Sequence, residues 1–171
     1  TGADFTNPYY CRLELVTFGY CTTGLRIHSA YNFNLFGPIF GTCPTAIHIA
    51  TGPSQSLSIF GGSIEGYGPA GGILVDAAAS VSHINVYGTY FETLTANAVG
   101  IDASAMTSRG LITLRGCRVY LNEMVSWLKM GSSAATVIAD GNIFSCAITS
   151  TTTPVGFSIG SATGKLVIDE R

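Results

Sequence analysis

Apolar and polar residues alternate along this chain in short runs, and a glycine interrupts the alternation at nearly constant intervals. Five segments share the pattern: FNLFGPIF (33–40), LSIFGGSI (57–64), INVYGTYF (84–91), ITLRGCRV (112–119) and VIADGNIF (137–144). Their glycines, Gly37, Gly61, Gly88, Gly116 and Gly141, are 24, 27, 28 and 25 residues apart. That period is too short for a strand and a helix with their loops, and it suits one coil of a β-solenoid. Four residues before each glycine stand Phe33, Leu57, Ile84, Ile112 and Val137, and two before stand Leu35, Ile59, Val86, Leu114 and Ala139. Three after stand Phe40, Ile64, Phe91, Val119 and Phe144. The positions between are mixed or polar, which is the period-two signature of strands on either side of a bend, with apolar columns stacked inward from coil to coil.

A second strand precedes each of these segments: GLRI (24–27), AIHI (46–49), GILV (72–75), AVGI (98–101), WLKM (127–130) and GFSI (156–159). Its predicted inward pairs include Ile47/Ile49, Ile73/Val75, Val99/Ile101 and Leu128/Met130. Small polar linkers such as TGPSQS (51–56), AAASVS (77–82) and GSSAAT (131–136) suit corners rather than helices. With 21 glycines and β-branched residues in most strand runs, a helical repeat is disfavoured. The predicted fold is all-β, a right-handed parallel β-helix of about six coils over residues 24–171. Residues 1–23, including CRLELVTFGYC (11–21), read as an irregular first coil or an N-terminal junction. The chain starts at Thr1 and ends at Arg171 within its pattern, and is expected to be a segment of a longer protein.

Composition narrows the classes of function. Hydrophobic residues make up 47% and charged residues 11%, with mean hydropathy +0.39, too few charges to cover an ordinary monomer, so a partner is expected to cover part of the surface. The hydropathy is spread over short runs, so no membrane insertion is expected. A net charge of -2 offers no basic stripe for nucleic acid. Cys11, Cys21, Cys43, Cys117 and Cys146 form no CxxC pair and no His-spaced metal pattern, and read as free core thiols. No metal and no cofactor are assigned.

The cadence of GGILVDAAASVSHINVYGTYFET (71–93) and GCRVYLNE (116–123) resembles the pectate-lyase-type β-helices of bacteriophage tailspikes and tail fibres, over nearly the whole chain. That resemblance implies a homotrimer on the virion, at the phage tail, that binds and often cleaves host surface polysaccharide. The same solenoid serves lyases, hydrolases, epimerases and inert stalks, so the site must carry the functional argument.

Outward positions include Phe36, Phe60, Tyr87, Tyr90 and Tyr120, aromatic surface suited to subunit packing or to stacking on sugar rings. Four residues after the anchor glycines stand Gly41, Glu65, Glu92, Tyr120 and Ser145, so Glu65 and Glu92 are expected on adjacent coils, facing outward. Neighbouring strands lie ~4.8 Å apart, close to the roughly 5 Å between the carboxylates of a retaining glycosidase. Such a pair would hold one proton on one acid beside one base or nucleophile; the alternative is a solvated rim or an oligomer contact. Asp76 and Asp102 form a second expected ladder, suited to capping backbone N–H groups or to acid/base work. Arg118 is placed to pair with Glu92 and stabilise an enolate-like intermediate, or to form a plain salt bridge. Glu123, Trp127 and Lys129 lie in a longer loop, with Trp127 either a sugar platform or a packing residue.

Three functions follow as expectations: a tailspike segment that recognises and depolymerises host polysaccharide, a non-catalytic virion stalk, and a secreted bacterial polysaccharide lyase or glycoside hydrolase.

Overall fold

The structure is a computed structural model that describes residues 1–105, 110–120, 124–130, 136–145, 155–159 and 165–169. The first coil holds β1 (Ala3–Thr6), β2 (Tyr10–Glu14) and β3 (Thr17–Gly19), and the second β4 (Thr23–His28), β5 (Asn32–Phe36) and β6 (Ile39–Gly41). The third is made of a long β7 (Thr45–Phe60) and β8 (Ser63–Glu65). β9 (Ile73–Val75), β10 (Ala79–Tyr87) and β11 (Tyr90–Glu92) follow, then β12 (Ala98–Ala103), β13 (Leu111–Arg115) and β14 (Arg118–Tyr120). β15 (Met124–Met130), β16 (Thr136–Asp140) and β17 (Ile143–Ser145) complete a further coil, and β18 (Val155–Ile159) and β19 (Lys165–Asp169) stack on β15 and β16.

Every strand pairs in parallel with its counterpart on the next coil, so the fold is the predicted parallel β-solenoid. First and second strands merge into one 13-stranded sheet because β7 runs unbroken through the corner at Gly52, and third strands form a 6-stranded ladder in the order β17-β14-β11-β8-β6-β3. Those six rungs span about five turns. No helix among the described residues is long and apolar enough to cross a membrane.

Three corners close each early coil, and at each one residue takes a left-handed backbone. The middle corner is Leu15, Gly37, Gly61, Gly88, Gly116 and Gly141, with φ between 50 and 67°. At Gly88 and Gly116 an added Cβ would meet nothing within 4 Å, so backbone conformation rather than space selects glycine there. The other two corners mix residue types: Asn7, Ser29 and Gly52 close the first strands' corner, and Tyr20, Thr42 and Gly66 the third strands'. From Asn7 to Gly116 the corner N–H groups donate to the next coil, as in Gly61 N–H to Tyr87 O at 2.7 Å and Thr42 N–H to Glu65 O at 3.0 Å, so these bends satisfy their donors. Residues 1–23 therefore contain three strands in register with the second coil, with Leu15 in the place of the anchor glycine.

The core is built of the predicted columns except at Phe144, which was expected inward and is 39% exposed while its ring edge meets Trp127. Phe33, Leu57, Ile84, Ile112 and Val137 are buried, as are Phe40, Ile64, Phe91 and Val119. One column needs correction. Ile101 opposes Ile73, and Asp102 opposes Leu74, so the inward pair of the fifth coil is Ile101/Ala103 and not Val99/Ile101. The slip goes with a register shift between Ala98 and Val99, where β12 meets β15 and Gly100 lies against Trp127.

Candidate functional site

The third-strand ladder positions the sharpest set of groups. Glu92 opposes Glu65 in register, Glu65 opposes Gly41, and Tyr120 follows Glu92. The residues between, Ile64, Phe91 and Val119, point inward and are buried, which forces their neighbours outward onto one surface. The two carboxylates thus stand on adjacent rungs, ~4.8 Å apart at the backbone. One column over, Arg118 opposes Tyr90 rather than Glu92. Tyr90 donates its hydroxyl to Glu92 Oε2 at 2.6 Å. That bond, then partial burial and the negative charge of Glu92, push the Tyr90 phenol up to about 12. A short O–H···O⁻ bond fixes the Glu92 carboxylate in place as an acceptor.

Beside the pair lies a cleft of about 390 Å³, lined by Thr42, Glu65, Glu92, Thr93, Leu94 and Thr95 among others. Two local features open it. Gly41 contributes no side chain beneath Glu65, and an added Cβ there would meet nothing within 4 Å. On the other side Thr93 stands where the third coil has the left-handed Gly66, and the fourth coil takes its left-handed residue later, at Asn97 with φ 59°. Residues 94–97 are exposed between the buried Thr93 and the buried Ala98, where β12 begins. Thr93 anchors this segment by donating its hydroxyl to Tyr67 O at 2.6 Å and accepting from Thr95 N–H at 3.1 Å. Leu94 is left 71% exposed at the rim. Behind the wall, burial chiefly, with the charge of Glu92, raises the Tyr67 phenol above its ordinary range, and its hydroxyl faces Met124 Sδ at 3.7 Å.

Several expected site residues fall elsewhere. Asp76 and Asp102 do not stack, because of the two-residue slip that sets Asp102 against Leu74. Each caps its own corner: Asp76 accepts from Ala78 N–H at 3.3 Å and faces His48 at 3.4 Å, and Asp102 accepts from Ser104 N–H at 2.9 Å and from Lys129 at 3.3 Å. The Ala78 N–H and His48 hold the Asp76 carboxyl below its usual range. Trp127 is fully buried and packs edge-on against Phe91, Phe144 and Phe157, so it is a core residue and not a sugar platform. Among the described residues Glu92 and Arg118 form no ion pair, and Arg115 reaches Asp140 at 3.8 Å instead. Tyr87 belongs to a separate stack on the second strands. Phe36, Phe60 and Tyr87 lie face to face at 4.8 and 5.3 Å, with Arg12 over the Phe36 ring at 4.5 Å. Glu123 and Cys146 lie outside the described residues. The described cysteines are free thiols, Cys43 and Cys117 buried and Cys11 and Cys21 half-buried.

Thr42, Thr93 and Thr95 were not expected in the site. The signal for the last two is the sequence TLT after Glu92, where the preceding coil has Gly66. Among the described residues no group of three or more His, Cys, Asp and Glu side chains could hold a metal ion.

Comparison with protein-family models, curated proteins and solved structures finds no match to this chain.

Proposed function

We propose that this solenoid is a segment of a tailspike-type virion fibre that binds host surface polysaccharide in the Glu65/Glu92 cleft and cleaves it there. The observation that carries the reading is the pair of in-register carboxylates beside an open cleft, one of them fixed by Tyr90. Like charges directly opposite one another destabilise a sheet, so a fold maintained for stability alone has no use for them at that rung. Their backbones stand one rung apart, ~4.8 Å, a placement compatible with the carboxylate separation of a retaining hydrolysis. In it Glu92, held as an acceptor by Tyr90, is the nucleophile, and Glu65 is the acid that protonates the leaving oxygen. Tyr120 on the next rung and Leu94 on the rim supply apolar faces for sugar rings, and Arg118 offers donors for acidic substituents.

Exposed apolar side chains on a chain with few charges support the trimeric part of this reading, since Ile39, Phe60 and Ile143 are 47%, 36% and 64% exposed and suit packing between subunits. The Phe36–Phe60–Tyr87 stack favours a second reading, an inert stalk in which that face packs between subunits and no sugar is bound.

The test is retention of bacterial capsular and O-antigen polysaccharides by the purified oligomer, against a Gly41→Phe variant that fills the floor of the cleft. Retention by the parent chain, lost about tenfold or more in the variant with an unchanged far-ultraviolet spectrum, is the expected result. Equal retention by both chains would place sugar binding outside this cleft and overturn the site, and retention by neither favours the stalk.

A further inference from the structure

Cys21 and Cys43 occupy the same position on consecutive coils. Gly19 opposes Gly41 two residues before them, and Thr23 opposes Thr45 two residues after. Each follows a left-handed corner residue, Tyr20 and Thr42, whose φ is 55° in both cases. The backbone therefore carries the two cysteines one rung apart, ~4.8 Å at Cα, inside the 4.4–6.8 Å span of disulfides. Their thiols are oriented alike: Cys21 Sγ lies 3.5 Å from Gly19 O, and Cys43 Sγ 3.6 Å from Gly41 O. Cys43 Sγ is also 3.7 Å from Phe18 O, an atom of the coil that bears Cys21, so its sulfur leans toward its partner. Phe18 and Phe40, three residues earlier on each coil, stack at 5.2 Å and 15°, which fixes the register at this corner.

We infer that Cys21 and Cys43 form a reversible disulfide that staples the first coil to the second. The half-buried Cys21 is the thiol that an oxidant reaches, while Cys43 is fully buried. Burial, with a smaller contribution from the neighbouring Cys21 thiol, raises the Cys43 thiol, which suits it to the second step rather than the first. With a small-molecule disulfide as oxidant, the Cys21 thiolate attacks one sulfur, a mixed disulfide forms, and one small thiol leaves. Cys43 then gives up its proton to solvent and attacks Cys21 Sγ, and the second small thiol leaves. Two protein thiols are oxidised and one external disulfide is reduced to two thiols. The closed bond spans residues 21 to 43 and restrains the unfolded chain around that loop.

The experiment incubates the intact chain with oxidised glutathione, then counts thiols under denaturing conditions, measures the intact mass and maps the digest. The expected result is the loss of two titratable thiols, a mass lower by two hydrogens, and a linked peptide pair containing Cys21 and Cys43. Cys43→Ser is expected to stop at a persistent glutathione adduct on Cys21, and only the parent chain gains a higher unfolding midpoint on oxidation. Unchanged thiols and mass, a lasting adduct in the parent chain, or a link to any other cysteine would overturn the assignment.

Discussion

Two outward columns of this solenoid are built by the same repeat and hold opposite chemistry. On the second strands Phe36, Phe60 and Tyr87 stack ring on ring, and on the third strands Glu65 and Glu92 stand in register on adjacent rungs. Parallel in-register coils amplify whatever a column holds, because each side chain meets its equivalent ~4.8 Å away. The aromatic column gains from this repetition and stiffens the rod. The acidic column loses by it, and Tyr90 and the open space above Gly41 relieve the loss only in part. A column that costs stability and borders a cleft is where chemistry is expected, and a column that gains stability is where packing is expected.

The comparison breaks most readily at Phe60, the middle ring. Phe60→Ala removes two stacks at once and is expected to lower the unfolding free energy by about 1–3 kcal/mol, measured by urea denaturation with an unchanged slope. A loss no larger than that of an isolated surface residue would mean that the rings touch without coupling.

Tyr90→Phe probes the acidic column from the side. It is expected to cost about 1 kcal/mol at neutral pH through the lost hydrogen bond and to change the alkaline limb of stability. The Tyr90 phenol is raised from 10.0 to about 12 in the fold. The folded chain therefore keeps a proton that the unfolded chain loses, and stability from this group is intact below pH 10 and fades as pH rises toward about 12. The difference between parent and variant should shrink over that window in pH-dependent chemical denaturation. A constant difference would remove the Tyr90–Glu92 bond from the account.

The smallest expected effect sharpens the role of the corners. Leu15 is 82% exposed at φ 50°, where the later coils use glycine. Leu15→Gly is expected to stabilise the chain by roughly 0.5–1 kcal/mol, the relief of left-handed strain less the entropy of glycine. A loss of stability would mean that Leu15 is held by contacts that outweigh its backbone.

Much of this architecture was legible because one corner of three uses glycine almost throughout. Gly37 to Gly141 set the register of the third strands, and with it the pairing of Glu65 with Glu92. The other two corners were not legible, since Ser29, Tyr20 and Thr42 take left-handed conformations without a residue type that announces them, and Asn7 is the one side chain there that favours that region. Leu15 concealed the first coil for the same reason. Asp76 and Asp102 misled because both follow an apolar strand end, and only pairing shows that Asp102 sits opposite Leu74. Trp127 offered two readings from sequence, and its ring contacts with Phe91 and Phe144 decide for the core.

The most direct test of the central claim is release of reducing ends from a polysaccharide that the oligomer retains, compared among the parent chain, Glu65→Gln and Glu92→Gln. The account predicts a loss of about 10²–10⁴ in rate for each variant, with the oligomer intact and stability equal or raised by a few tenths of a kcal/mol. Unchanged release in both variants, or a loss explained by unfolding, would contradict a catalytic carboxylate ladder.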